Sequence, residues 1–432
     1  MSEDFPPKRI LILASKLGYQ TRAFADAAKR LGVEVSLGTD RCHKLDDPWG
    51  DGARALHFEN PEESASEIVR ETMGDVPDAI VALGDRATAT AARAACALGL
   101  ISNSPEAVEI CRNKLRQRET LKLAGLLVPD FFAFALDEDI TSVLTRVSFP
   151  CVVKPLALAA SQGVIRANDA AEFRRAVERI RALFRQPEIQ IARDGTLDRV
   201  LVERYIPGRE VAVEGLITEG RLRVLAIFDK PDPLEGPYFE ETIYVTPSRL
   251  PQRIQNAIAD CAAKCVAALG LVTGPVHAEF RINESGVWVI EVAPRPIGGL
   301  CSRALRFGAE GISLEELILR HALGLGGGDC VREGCAAGVM MIPVPRSGIF
   351  EGVEGIEAAR RVRGVEDVLI TARLHDNVAA WPEGASYLGF IFSRGESAEE
   401  AEAALRVAHS KLNFVIGARL PVEHPVTGRI LA

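Results

Sequence analysis

Residues 277–293 read HAEFRINESGVWVIEVA, two apolar runs separated by Glu284-Ser285-Gly286, a pattern that a β-hairpin satisfies. Such a hairpin sets Glu279 and Glu291 near each other across its ladder, among apolar neighbours. Two carboxylates side by side in a partly buried place repel unless a cation lies between them. Ligation by oxygen alone favours Mg2+, which binds through one or two carboxylates and substrate phosphates. The plainer reading is a pair of glutamates on a solvent-facing side of the hairpin. Arg295 and the Gly298-Gly299 pair follow at once and weigh toward a site.

The 432 residues around this hairpin are too many for one core, and ordinary domain sizes give about three domains. In the first hundred residues RILILAS (9–15), VEVSLGT (33–39) and DAIVALGD (78–85) alternate with helical stretches at TRAFADAAKRLG and ATATAARAACALGL. That alternation predicts a parallel, doubly wound sheet, a Rossmann-like unit over residues 1–110. The segment ASKLGYQ after the first strand lacks the GxGxxG dinucleotide fingerprint, so the unit reads as a scaffold lining a cleft. Short strands dominate from about 150 to 220, with one charged helix near 169–186, and helices are expected at 113–123, 251–270 and 313–323. The glycine cluster LGLGGGD (323–329) reads as a domain joint, followed by a strand-rich segment and the helix SAEEAEAALRVAHSKL.

Hydrophobic residues make up 47% and charged residues 25%, the composition of a globular protein. A net charge of −8 disfavours nucleic-acid binding through bulk charge. No apolar run approaches the ~20 residues that span a bilayer, and MSEDFPPKRILIL has no small-residue cleavage site, so the expectation is a cytoplasmic protein. The nine cysteines are scattered without paired CxxC motifs and read as reduced core thiols.

Three further stretches carry charge in an ordered way. Lys114 opens a predicted helix, and Lys154 ends an apolar strand in VVKPLALAASQGVIRA (152–167). LVERYIPGRE (201–210) joins an apolar strand to Glu203 and Glu210, and could offer an apolar slot for an adenine ring and a carboxylate for ribose hydroxyls. Each lysine alone is more often a surface residue; their order before an acidic hairpin is the signal.

In that order these pieces resemble the ATP-grasp superfamily of carboxylate ligases over roughly residues 110–320. The matching stretches are RNKLRQRETLKLAGLLVP, FPCVVKP, VERYIPGRE, HAEFRI and IEVAPRPIGG. Within the superfamily the chain resembles the L-amino acid ligases of the bacilysin-synthetase type. His277 stands two residues before Glu279, and the tail from Gly338 through GASYLGFIFSRGESAEEAEAALRVAHSKL is similar to their C-terminal domain. The resemblance implies an α/β and α+β architecture: the Rossmann-like domain at 1–110, an ATP-grasp domain at 111–325 with a small subdomain at about 140–210, and an α+β C-terminal domain at 326–432. It also implies roles. Lys114 and Lys154 hold ATP phosphates, with Ser161, Gln162 and Gly163 in the covering loop. Glu203, Tyr205 and Ile206 form the adenine hinge and Glu210 meets the ribose. Glu279 and Glu291 bind Mg2+, with Mn2+ as an alternative, while Arg295 stabilises an acyl phosphate or the substrate carboxylate. His277 lies beside the substrate, or is simply a packed strand residue. Ala293 replaces an asparagine that many relatives carry two residues after the second metal glutamate.

The implied reaction joins a small carboxylate to an amine through an acyl phosphate, releasing ADP and phosphate. Competing readings are an ATP-binding protein without turnover and a ligase of nucleotide or other small-molecule biosynthesis. A homodimer stays open. Ala159, Ala160 and Gln162 stand where the covering loop usually carries glycines and a basic residue, which predicts a stiffer loop with a weaker grip.

Overall fold

The computed structural model describes residues 7–15, 18–40, 53–190, 195–326, 330–418, 422–423 and 430–431. The chain start MSEDFP, residues 16–17 of ASKLGYQ and residues 327–329 of the glycine cluster lie outside them.

The N-terminal sheet has four parallel strands in the order Ala53–Ala55, Glu34–Thr39, Arg9–Ala14, Ala79–Leu83. Strand residues alternate between faces, so Ile10 and Ile12 enter one core, shared with the helix Leu314–Ala322, while Leu11 and Leu13 meet Leu56, Ala87 and Ala91. Burial on both faces is why this strand reads RILILA without polar alternation. Gly84, at φ +78, turns the last strand into the helix Asp85–Ala97, and the sequence LGD thus delivers Asp85 to the carboxyl edge of the sheet.

A second sheet, antiparallel, orders Phe131–Ala135, Arg199–Arg204, Cys151–Pro155 and Ile165–Ala167. The helix Ala170–Phe184 packs Phe173, Val177, Ile180 and Phe184 against it. Strand Phe131–Ala135 enters this sheet from before residue 140.

The third sheet has eight antiparallel strands. Its order is Gly286–Ala293, Gly274–Asn283, Arg209–Thr218, Arg221–Asp229, Ile243–Thr246, Ala336–Ile342, Gly389–Gly395, Val365–Ile370. Ile243–Thr246 pairs with Ala336–Ile342, so backbone hydrogen bonds run without interruption across residue 326. The expected hairpin forms the outermost pair, closed at Asn283 opposite Gly286, with Glu279 directly facing Glu291. Eight of the cysteines lie among the described residues, all as free thiols. No helix of the described residues is long and apolar enough to cross a membrane.

Candidate functional site

The second and third sheets face each other over a cleft. Lys154 and Glu203 come to it from adjacent strands of the second sheet, paired in a ladder that sets Lys154 opposite Leu201. Glu210, Glu279 and Glu291 come from three neighbouring strands of the third. Lys114, Ser161, Tyr205 and Ile206 complete the lining contributed by the expected residues. Val152, Val164, Phe239 and Ile290 give the cleft an apolar wall, on which Tyr205 stacks against Phe239 with ring centres 6.4 Å apart. Arg166 lies over the Tyr205 ring, 4.1 Å from its centre.

One buried carboxylate serves two buried cations. Glu203 accepts from Arg118 Nε at 2.7 Å through one oxygen and from Lys154 Nζ at 2.7 Å through the other. Burial opposes the charge of Glu203, yet Arg118 and Lys154 hold its carboxyl below the ordinary range. Lys154 goes the other way: burial outweighs the attraction of Glu203 and lowers its ammonium to about 8. Arg118 is wholly buried, one helical turn after Lys114 on the helix Lys114–Leu123. Asn113 caps this helix, its side chain accepting from the amides of Leu115 and Arg116. That cap fixes the first turn, where Lys114 donates to the Leu158 carbonyl at 2.8 Å and to Glu291 at 3.2 Å.

A second cluster surrounds Lys230. Its ammonium contacts Glu210 at 2.8 Å, Glu279 at 3.2 Å and, closer, Glu241. Oxygens of these three glutamates lie within 4.8 Å of one another. Burial works against Lys230, but the three carboxylates raise it well above an ordinary lysine. Burial and then the neighbouring Glu279 push the Glu241 carboxyl up to about 7. Arg281 holds the other oxygen of Glu210 at 2.7 Å and donates to the Ile206 carbonyl at 2.8 Å. Both ring nitrogens of His277 are engaged, Nδ1 by Glu214 and Nε2 by Glu279 at 3.3 Å. Burial disfavours the charged ring, yet Glu214 and Glu279 raise it to about 9.

Gln162, Gly163, His277 and Arg295 lie outside the cleft lining. Arg295 instead reaches the N-terminal domain, pairing with Asp85 at 2.8 Å. The Gln162 side chain donates to the Glu383 carbonyl at 2.9 Å, and the Gly163 amide donates to the Pro382 carbonyl at 3.0 Å. The Trp381 indole donates to the Ala160 carbonyl at 3.2 Å, and Arg179 grips the Glu383 carboxylate at 2.6 and 2.9 Å. The loop is therefore clasped from the C-terminal domain, which no local reading of VVKPLALAASQGVIRA reveals. Ala160 at φ 55 and Ser161 at φ 53 take the left-handed conformation that alanine was expected to resist, and the clasp stabilises it. Gly163 at φ 73 is a true glycine position, since a Cβ there would meet Leu183 at 2.9 Å.

Sequence reasoning missed Arg118, Lys230, Glu241, Glu214 and Asp85. Arg118 was findable, because residues four apart share a helix face and Lys114 was already singled out. Asp85 follows a parallel strand at the edge where such sheets bind ligands. Glu241 sits in GPYFEETIYV, but nothing in that string marks which acid turns inward.

Residues 147–304 match the ATP-grasp domain, and residues 340–417 match the L-amino acid ligase C-terminal domain 2. An uncharacterized protein, y4rH, of Sinorhizobium fredii is 26% identical over 319 residues, 72% of this chain and 63% of its own length. The alanine–anticapsin ligase of Bacillus amyloliquefaciens is 28% identical over 256 residues, 56% of this chain and 53% of its own. The match thus spans between half and two thirds of these curated relatives. The crystal structure of an L-amino acid ligase from Bacillus licheniformis superposes with a TM-score of 0.81 at 29% identity, covering 95% of this chain and 99% of that one. Cleft, hairpin and tail agree with these matches: the chain carries an ATP-grasp domain and, after it, the C-terminal domain of the L-amino acid ligases.

Proposed function

We propose that the chain joins a small carboxylate to an amine at the expense of ATP, through an acyl phosphate, releasing ADP and phosphate. The observation that carries this reading is the convergence of Lys114, Lys154 and the facing Glu279 and Glu291 on one cleft with an apolar wall. Phosphoryl transfer asks for positioning and charge neutralisation more than for covalent help, and this cleft is built from fixed charges. The apolar wall with Tyr205 and Phe239 suits an adenine ring, and Glu210, already oriented by Arg281, suits a ribose hydroxyl. Lys154 and Lys114 bind the phosphates. Glu203 fixes Lys154 and is itself buried by two cations, so its backbone rather than its carboxylate is left for the base.

The all-carboxylate donor set fits Mg2+, and Mn2+ takes the same ligands. Glu279 and Glu291 would hold the ion, with Glu241 beside Glu279. When bound, it neutralises the phosphate oxygens. His277, charged and held at both nitrogens, orients Glu279 and is not free to act as a base. Arg295 is held by Asp85 outside the cleft lining, so its stabilising an acyl phosphate requires that it turn from this pair, while the clasped loop keeps water from the cleft. The test is a screen of acid and amine mixtures with Mg2+ and ATP, reading ADP and the mass of any amide; the reading fails if no mixture yields both.

Lys154 gives this site a pH dependence of definite sign. Its folded value of about 8 lies below the ordinary 10.5, so the folded chain sheds this proton where the unfolded chain keeps it. This residue therefore adds stability as pH rises from about 8 toward 10.5, while its grip on phosphate is lost over the same rise. ADP affinity is expected to weaken about tenfold between pH 7 and 9, the ordinary course of one titrating cation. Lys154→Arg should flatten that profile, because guanidinium keeps its charge. A profile in wild type already flat across pH 7–9 would contradict the assignment.

A further inference from the structure

Among the described residues, the C-terminal domain contributes nothing to the lining of the nucleotide cleft, yet it holds the loop that covers it. Residues 381–383 make that contact from a firm seat. Trp381 is buried, with its ring centre 4.9 Å from that of Tyr387, and Tyr387 lies 6.5 Å from Phe390 in a strand of the eight-stranded sheet. The loop itself hangs between Cys151–Pro155 and Ile165–Ala167, beyond the last paired residues Val153 and Ile165.

Two kinds of contact join them. The bonds at Ala160, Gln162 and Gly163 run to the loop directly and use the Trp381 indole or main-chain carbonyls. The Arg179–Glu383 pair lies at the rim, its side chains 44% and 35% exposed. Arg179 stands on the helix Ala170–Phe184, whose inner face packs on the small sheet, so the pair ties the whole small subdomain to the C-terminal domain. Glu383 works at both ends: its carbonyl accepts from Gln162 and its carboxylate takes two N–H groups of Arg179. The Tyr238 hydroxyl accepts a further bond from Arg179 and fixes the direction of the fork. A bidentate pair is specific for one closed arrangement, while its exposure makes it cheap to break and remake.

An acyl phosphate beneath this loop has two fates. When an amine nitrogen attacks the acyl carbon, the bond from that carbon to the phosphate oxygen breaks, and the nitrogen's proton goes to the departing phosphate. When water attacks, the same bond breaks and the acid returns unchanged. One proton of that water then goes to the phosphate and the other to solvent, and ATP has been spent on hydrolysis. The outcome depends on the loop staying down until the amine reacts. Building on the ligase reading, we propose that the C-terminal domain acts in the reaction through Arg179 and Glu383. They are positioning residues that latch the covering loop shut and set how much acyl phosphate ends in amide rather than in hydrolysis.

The test pairs hydrogen exchange with product counting on the full chain. With ADP and Mg2+ present, exchange of the backbone amides of residues 157–164 is expected to rise about 3–10-fold in Arg179→Gln and in Glu383→Gln, the size an exposed bidentate pair supports. The double variant Arg179→Glu with Glu383→Arg remakes the pair with its charges exchanged and should return exchange toward wild type. In turnover of the acid and amine found by the screen, ADP released without amide should rise by the same factor in each single variant and fall back in the double. Melting temperatures should stay at the wild-type value, because the pair is exposed. Wild-type exchange in both single variants, unchanged hydrolysis, or a double variant no better than the singles would each overturn the proposal. Failure of the ligase reading looks different: exchange at 157–164 would still respond to the pair while no mixture produced both ADP and an amide.

Discussion

Glu279→Gln is expected to lower amide formation at least ~10³-fold and to cost the metal-free protein stability as well. The loss of activity follows from removing the carboxylate that faces Glu291 and is held by both Lys230 and His277. Fixed charge placed where phosphate oxygens gather is the largest single contribution in such sites, commonly ~10²–10³-fold per group and more where a metal is lost with it. Stability falls along with activity for a local reason. Burial opposes the Glu279 charge, yet Lys230 and His277 hold its carboxyl well below the ordinary range. Removing the charge forfeits that pairing, offset only in part by less crowding with Glu210 and Glu241, whose oxygens lie within 4.8 Å. Wild type should gain thermal stability on adding Mg2+, and Glu279→Gln should gain little, because a ligand stabilises only the state that binds it. Thermal melts with and without Mg2+, paired with turnover, check this. A variant that gains as much thermal stability from Mg2+ as wild type does would show that Glu279 does not hold the metal.

Glu203→Gln is the change expected to cost most in folding, about 3–5 kcal/mol, the usual penalty for breaking a buried ion pair from one side. It leaves Arg118, wholly buried, and Lys154, nearly so, with no counter-charge between them. Arg118→Met should cost less, since the Lys154–Glu203 pair that remains is still neutral. The double variant should regain part of the loss of Glu203→Gln, a coupling that only direct neighbours show. Urea denaturation of the four proteins measures it. If Glu203→Gln costs under 1 kcal/mol and only ADP affinity falls, the carboxylate serves the nucleotide rather than the two cations.

These two residues also show how far the sequence could be read. The hairpin, the two lysines and the strand before Glu203 were legible because each depends on local pattern: apolar runs, a turn and a charge at a strand end. The turn register alone would set Glu279 opposite Ile290; a one-residue bulge between Glu279 and Phe280 brings it to face Glu291, a shift the local pattern does not encode. Glu203 was read for the nucleotide because its partner Arg118 comes from 85 positions away, a separation no local pattern encodes. The clasp on the loop has the same origin: Gln162 meets Glu383 across 221 positions, so the poor lettering of the loop is compensated in another domain. Arg295 was legible as a cation near the hairpin, but its brace Asp85 depends on how the N-terminal sheet docks, 210 positions away. Local chemistry was readable; the long-range pairing that sets its charge was not.

The central claim is that the oxygen of a carboxylate attacks the terminal phosphate of ATP. Supplying the acid substrate with ¹⁸O in its carboxylate and reading the products by ³¹P NMR tests it most directly. The account predicts ADP, an amide and inorganic phosphate bearing one ¹⁸O per turnover; ¹⁸O in AMP, or amide formed with unlabelled phosphate, would contradict it.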